Sequence, residues 1–516
     1  MKKLYTIAVS LMVLGCTTDK GKFDYAPNEI ITIKGIEDSY TKISEFERIT
    51  LDPVVTSTDK NADFEYTWGM YETGVALKLD TIAKTKALDY LIKQPAKGWV
   101  LVFKAKNKHT GLSQFFSSNI EVTTQFTRGW YVAKDDGSQT DVDLFKTPVN
   151  IVPDGKVENV YSFVNGKKIP GKASLFSFAG KYKSTVTGVL ADTRSLFVLT
   201  DKDASVVDIN TLKEIRDLDR LFYAVPSTKA PLIATAGNGA LYFVNDGGVH
   251  TIASATINSG QFGAKRMKDD LNTPYKVSKY FMTSNFNNPI FFDEETSSFI
   301  SCTAFTNSLT AIPNYTPSKL SVNNNNKQLL YMGIKTPSPY LGYAVLQDKT
   351  KPSMKVLYSI NAANLSAFNI TVIDTIRAQA VGTNPASKMY NASNFTLLQG
   401  DENLLYFTAG NEVWSRNLSN KAERLQYTVP AGEVITYIRH RKYTGTGAEA
   451  PYSYNYVMIG TKIGANYKVR MFTKSSSGDL TATPAFTLDG TGSVGDVIYV
   501  SPLVNKVFDD TYINSF

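Results

Sequence analysis

Three histidines, two cysteines and a few clusters of aspartate and tyrosine are the residues of this 516-residue chain whose types suit chemistry. His109, His250 and His440 lie far apart, none with a second nitrogen or sulfur ligand at a neighbouring position. Zinc and most transition metals want two or more such ligands at fixed spacing, so the sequence offers no metal site and calls for no cofactor. The loops Asp201-Lys202-Asp203-Ala204-Ser205 and Asp135-Asp136-Gly137, the latter followed by Asp141 and Asp143, present carboxylates at close intervals. Calcium takes about six to eight oxygens, and neither loop has the glycine and distal glutamate of an EF-hand. Both read as hairpin turns, where aspartate is common. No nucleophile elbow is present, and Gly237-Asn238-Gly239 sits between strands rather than ahead of a helix, so it is no phosphate cradle. No catalytic residue is assigned. Carboxylate pairs for glycoside hydrolysis depend on separation in space, which the sequence does not fix.

What remains is aromatic. Pro337-Ser338-Pro339-Tyr340-Leu341-Gly342-Tyr343 and Pro451-Tyr452-Ser453-Tyr454-Asn455-Tyr456 interrupt strand-like runs. A tyrosine offers a large rigid face with a polar tip, suited to stacking on a sugar ring or gripping a peptide. Tyr340, Tyr343, Tyr452 and Tyr454 are therefore the candidate ligand-binding residues. The plainer reading packs the same rings beneath their own loops.

The elements that must position these loops are strands. The chain carries 29 Tyr and 28 Phe against 10 Met, a balance that suits pleated, half-buried surfaces. Residues 30–33, 49–51, 64–68, 99–105 and 119–123 read as short strands separated by polar turns, the pattern of a small sandwich, with Trp68 turned inward as a core anchor. From Arg128 a hairpin unit recurs, among others at 129–133, 195–200, 239–252, 288–300, 329–346, 403–418 and 456–472. A single open sheet of so many strands would curl and leave long bare edges, whereas radial repetition avoids both. At about 40–50 residues per blade the segment 126–516 would hold eight or nine blades, and its long loops lower the expectation to seven. Residues 497–500 are expected to clasp the sheet begun near Trp130.

The first residues give an address. Lys2 and Lys3 precede an apolar run, residues 4–14, too short to span a bilayer, which reads as an export signal. It ends in Val13-Leu14-Gly15-Cys16, which resembles the bacterial lipobox, where the thiol is acylated and becomes the first residue of the mature chain. Two or more buried acyl chains, at about 0.8 kcal/mol per methylene, make a stable anchor. Residues 1–15 are then the signal peptide, 16–27 a tether with lipidation at Cys16, 28–125 the sandwich and 126–516 the propeller. With Cys16 acylated, Cys302 has no partner for a disulfide and reads as a buried, inert thiol. The formal charge is +8, two units of it from Lys2 and Lys3, with no basic block and no nucleic-acid motif, so a nucleic-acid partner is not expected.

Cys16 followed by Asp19-Lys20-Gly21-Lys22-Phe23-Asp24-Tyr25, the Tyr66-Thr67-Trp68 strand, and Gly129-Trp130 opening the second part, together with the hairpin at 403–418, make the chain similar to the PKD-like lipoproteins of Bacteroidota. The resemblance implies an all-β protein, an immunoglobulin-like (PKD-like) sandwich followed by a β-propeller of about seven blades. It also implies a surface lipoprotein of the outer membrane and a partner, a SusC/SusD-type importer of peptide or glycan. Surface display in those bacteria goes with an acidic cluster after the lipidated cysteine. Thr17-Thr18-Asp19-Lys20 supplies one carboxylate, which leaves the periplasmic face open beside the cell surface. The function expected is non-catalytic binding or scaffolding in nutrient uptake. The alternative is a propeller hydrolase or lyase acting on peptide or polysaccharide.

Overall fold

The computed structural model describes residues 28–501 apart from positions 45, 76–78, 187, 255–257, 285 and 383. The leader, Cys16 and the tether lie outside the described residues. The chain divides into two compact units, the first ending at Thr123 and the second beginning at Thr124, two residues ahead of the expected boundary.

In the first unit a five-stranded sheet runs in the order Ser39–Ile43, Ser113–Thr123, Lys97–Asn107, Phe64–Glu72, Asp80–Ala83. The first of these pairs is parallel and the others are antiparallel. Two further pairs, Ile31–Lys34 with Val54–Ser57 and Arg48–Leu51 with Leu88–Leu91, complete the sandwich. Trp68 is fully buried, as its place in an alternating strand requires. Its ring lies 4.4 Å from that of Phe103, and its Nε1 donates to the carbonyls of Thr85 at 3.1 Å and Lys86 at 3.2 Å, so the indole is buried without stranding its polar atom.

The second unit is built from seven sheets. Six follow one another along the chain: residues 173–217 form blade two, 231–253 blade three, 282–311 blade four, 327–376 blade five, 395–428 blade six and 434–491 blade seven. Blade one joins the two ends of the unit. Gly129–Asp135, Gln139–Lys146 and Gly155–Val157 come from its beginning, and Ser493–Val500 from its end. The strands Ser493–Val500, Ala173–Ser184, Pro231–Gly237, Met282–Ser284, Lys327–Thr336, Phe395–Leu397 and Val434–Tyr443 touch in that order, and the last touches the first. That closed cycle makes the unit a seven-bladed propeller with Ser493–Val500 as the innermost strand of blade one. Radial repetition leaves only short edges, and the inner ones are sheltered inside the ring, which is how the fold manages strand edges.

The core explains why the strands read as continuous apolar runs. Seven apolar clusters of described residues sit one in each gap between neighbouring blades. Side chains alternate across a strand, so Trp130 and Val132 enter the gap with blade seven while Tyr131 and Ala133 enter the gap with blade two. A strand buried on both faces shows no hydrophobic-polar alternation, and all seven residues of Gly129–Asp135 are buried. Tight hairpins supply the reversals: in Asn245-Asp246-Gly247-Gly248, Asp246 at φ 47° and Gly247 at φ 71° form the left-handed pair that a two-residue turn demands. One short helix, Val160–Asn165, interrupts the strands in blade one and packs Val160 and Tyr161 into the gap with blade two.

Ser493–Val500 pairs antiparallel with Gly129–Asp135, Tyr499 opposite Trp130 and Val497 opposite Val132, which is the clasp expected from the sequence. Charged bonds reinforce it. Asp496, wholly buried, accepts from the Phe176 backbone N–H of blade two at 2.9 Å and, through both oxygens at 3.1 Å, from Arg441 of blade seven. The Tyr467 hydroxyl of blade seven donates to Asp143 of blade one at 2.7 Å, and Lys134 lies 2.9 Å from the same carboxylate. Arg128 reaches Glu449 at 2.5 Å and lies 3.7 Å over the ring of Tyr452.

Candidate functional site

In blades two to seven the inner strand continues directly into its neighbour, and the blades are equivalent around the ring, so the first turns of these blades emerge on one face. The two tyrosine loops, in blades five and seven, flank the first turn of blade six there. That turn, residues 398–403, carries Asp401 and Glu402 between Phe395–Leu397 and Leu404–Ala409.

Side chains from the two flanking blades, five and seven, converge on it. Lys335, at the end of the inner strand of blade five, is buried and donates to the carbonyls of Leu398 at 2.6 Å, Asp401 at 2.9 Å and Glu402 at 2.7 Å. An ammonium has three donors, so all of them are spent on backbone. Burial pulls the Lys335 ammonium down to about 8, although Asp401 and Glu402 oppose the shift. From blade seven, Lys442 donates to Asp401 Oδ1, Asn455 Nδ2 to Oδ2 at 2.6 Å, and Lys474 Nζ to Oδ2 at 2.8 Å and to Glu402 Oε2 at 2.7 Å. Burial raises the Asp401 carboxyl, but the bonds from His440, Lys442, Lys474 and Asn455 outweigh it and hold the group well below the usual carboxylate range.

His440, which had no partner near it in sequence, belongs to this network. The Gln399 backbone N–H donates to its Nδ1 at 3.1 Å, which fixes the ring proton on Nε2, and Nε2 lies 2.8 Å from Asn455 Oδ1 and 3.6 Å from Asp401. Beside the node an open cleft of about 410 Å³ is lined by Glu402, Tyr454, Asn455, Tyr456 and Lys474, with the hydroxyls of Ser453, Thr473, Ser475 and Ser476. The rings of Tyr454 and Tyr456 are 6.1 Å apart and nearly parallel at 5°. Both rings are buried in the gap between blades one and seven, so what the cleft presents is hydroxyls, an amide and charge, which can hydrogen-bond.

The four tyrosines chosen from sequence are placed differently from one another. Tyr340 is buried in the gap between blades four and five, with its hydroxyl 3.3 Å from the Asn288 carbonyl. Tyr343 is half-buried against the gap between blades five and six. Tyr452 is buried at the seam, its hydroxyl donating to the Pro148 carbonyl at 2.7 Å. Tyr454 packs 4.8 Å from Trp130 and is the one of the four that borders the cleft. Lys335, Asp401, Lys442, Tyr456 and Lys474 were not singled out in the sequence. The basic run His440-Arg441-Lys442 closing a strand, and the acidic pair Asp401-Glu402 in a turn, were the signals.

The other residues weighed for chemistry are engaged elsewhere. His250 packs 4.7 Å from Phe222 with Nδ1 2.9 Å from the Gly263 carbonyl, and burial lowers its affinity for a proton. His109 lies 3.1 Å from Asp59 in the first unit. Burial pushes the Cys302 thiol up to about 12, an inert thiol as expected. In the acidic loops Asp201 accepts from the Lys172 N–H, Asp203 from the Ala204 N–H, and Asp136 from the backbone of Ser138 and Gln139. Among the described residues no three His, Cys, Asp or Glu side chains gather as metal ligands do.

Comparison with known proteins bears on the amino-terminal third. Residues 16–173 match the PKD-like family. The PKD-like match starts at Cys16, takes in the whole sandwich and ends at the first residue of the inner strand of blade two. No curated protein matches the chain. Among solved structures, a quinoprotein alcohol dehydrogenase-like protein from Bacteroides thetaiotaomicron is 13% identical, with 89% of this chain and 96% of that one covered at a TM-score of 0.37. PorZ, a surface component of the type-IX secretion system of Porphyromonas gingivalis, is 8% identical, with 70% of this chain and 39% of that one covered at a TM-score of 0.37. The propeller assignment stands on the strand order and the closed inner ring of this chain.

Proposed function

We propose that the protein is a lipid-anchored, non-catalytic binding or scaffold component of an outer-membrane SusC/SusD-type complex that takes up peptide or glycan. Cys16, after a basic and apolar leader, is the acylated residue, and the cell surface is the face it serves. The anchor confines the propeller near an importer and so raises effective concentration without strong intrinsic affinity. The PKD-like match from Cys16 to residue 173 supports the family setting.

The observation that carries the binding reading is the state of the charged groups at the cleft. A general acid or base works best with its pKa near the working pH and within reach of substrate. Asp401 is locked far below that range by four partners, and Lys335, the group nearest it, spends its protons on three carbonyls. The node holds the turn in shape, and the serine and threonine hydroxyls beside it are left to grip. Incubating the protein with oligopeptide and glycan mixtures tests this: retention of a ligand with no new chain ends is expected, and new ends detected by mass spectrometry would make the protein a hydrolase or lyase. Replacing Cys16 with Ser should release the protein from the membrane fraction.

A further inference from the structure

The acidic turn Asp135-Asp136, with Asp141 on the next strand, lies away from the cleft beside Asp401, on the other face of the propeller. The strand Tyr454–Ile463 starts at the first turn of blade seven and carries the chain to that face, where its next hairpin stands against the turn at 136–138 of blade one. Between them opens a cavity of about 270 Å³, roughly the share of nine waters in the liquid. Thr491 and Gly492, in the turn that leads into Ser493–Val500, border it too, so both ends of the propeller chain meet there.

Most of the charges on its walls are spent on one another. Lys134, buried, lies 2.9 Å from Asp143 and donates to the Thr491 hydroxyl at 3.4 Å. Lys168 donates to Asp136 at 3.0 Å, and that carboxylate takes three more donors from Ser138 and Gln139, which fills its four or so acceptor sites. Asp135 accepts from the Gly137 N–H and from the Ala173 N–H of blade two, so its carboxylate is turned to the other gap. Two groups are left without an ion pair. Asp141 stands directly opposite Lys134 in the strand register, which puts both side chains on the face toward blade seven. One of its oxygens accepts from the Val142 N–H at 2.9 Å and the Ser162 N–H at 3.1 Å, the other only from the Ser162 hydroxyl, so a site stays open. Across the cavity, on blade seven, Lys462 is half-buried and makes no hydrogen bond or ion pair with any described residue.

We propose that this cavity binds a free α-amino acid, with the ammonium of the ligand on Asp141 and its carboxylate on Lys462. A lone carboxylate on one wall and a lone ammonium on the other select a molecule that carries both opposite charges a few bonds apart, through charge-assisted hydrogen bonds at each end. A simple anion leaves Asp141 unmatched, and a simple cation leaves Lys462 so. The side-chain amides of Gln139 and Asn159, exposed at the cavity and without hydrogen bonds among the described residues, can serve a polar ligand side chain. Because its walls belong to blades one and seven, an occupied site ties the seam and stabilises the closed ring by mass action. The site is separate from the cleft beside Asp401 and does not depend on the binding role proposed there.

The test is calorimetric titration of the full chain in detergent, at constant ionic strength, with glycine and with L-glutamine, and with acetate and methylammonium as ligands that carry one charge each. Saturable binding of one amino acid is expected in the wild type, about tenfold or more weaker in Lys462→Gln and in Asp141→Asn, the loss that goes with one charged hydrogen bond. Lys462→Arg keeps the charge and should stay within about threefold of the wild type. The melting temperature should rise with glutamine in the wild type and stay level in Lys462→Gln at the same concentration. Circular dichroism checks that the variants fold, and if Asp141→Asn does not, the two Lys462 variants carry the comparison. No saturable heat with either amino acid in the wild type would overturn the proposal, and so would equal affinity in Lys462→Gln. Acetate or methylammonium binding as tightly as the amino acids would overturn it too, since one charge would then suffice.

Discussion

The seam of blade one and the cleft beside blade six are both built from lysine or arginine against aspartate, and they do opposite things. At the seam the aspartates are buried: Asp496 and Asp143 are wholly inaccessible, and they bind groups from blades seven and two as well as Lys134 of blade one. At the cleft Asp401 is bound by lysines of which one, Lys442, is 40% exposed on its side chain, and open space adjoins the rest. The same residue types make a staple where water is excluded and a site where it is admitted. Burial decides, because an ion pair taken out of water is held by geometry and costs dearly when one partner is lost, whereas an exposed pair contributes little.

Cutting the seam is the largest perturbation. A chain ended before Ser493 lacks the innermost strand of blade one and bares the edge of Gly129–Asp135, so it should lose its cooperative unfolding transition and aggregate on gel filtration. Asp496→Ala keeps the strand but leaves Arg441 buried without its counter-charge, and denaturant titration should show a loss of about 3–5 kcal/mol. Asp401→Asn should cost less, about 1–3 kcal/mol, because Glu402 still receives Lys474 and Lys442 can turn to solvent.

That variant also carries a pH signature. Asp401 is held below its ordinary value in the folded protein, so its contribution is complete above the unfolded value, about 3.9, and is lost as pH falls from there toward the folded value. The stability gap between wild type and Asp401→Asn should be constant at neutral pH and close below about pH 4. Lys442→Ala, at the exposed rim, should change stability by about 1 kcal/mol or less and make a baseline for the other three.

The architecture was legible because its units repeat. The arms at 403–418 and the turn at Asp246-Gly247 are strong local signals, and the apolar residues 497–500 had no sheet of their own and so pointed to the strand at Trp130. Inner strands were harder. Met282–Ser284 and Phe395–Leu397 have three residues each and begin after loops, so nothing local marks them; ring closure holds them in place. Val160–Asn165 was missed for a similar reason, as its six residues owe their helical form to packing beneath blade two.

The site was legible only at one point. Tyr454 borders the cleft, but like Tyr340 and Tyr452 it is buried, since composition cannot tell a ring that fills a gap from one that lies open to a ligand. Asp401 and Lys335 are 66 residues apart, joined by a bond that only the packing of adjacent blades creates. His440 looked solitary for the same reason: its partner Asn455 lies one strand away, across a hairpin.

Closure of the ring by the last strand is the claim on which the seam and the position of the cleft both depend. Hydrogen exchange of the backbone amides at residues 497–500 tests it directly. Protection equal to that of the Gly129–Asp135 strand they pair with is the predicted result. Exchange of 497–500 as fast as that of a frayed terminus, with Gly129–Asp135 still protected, would contradict it.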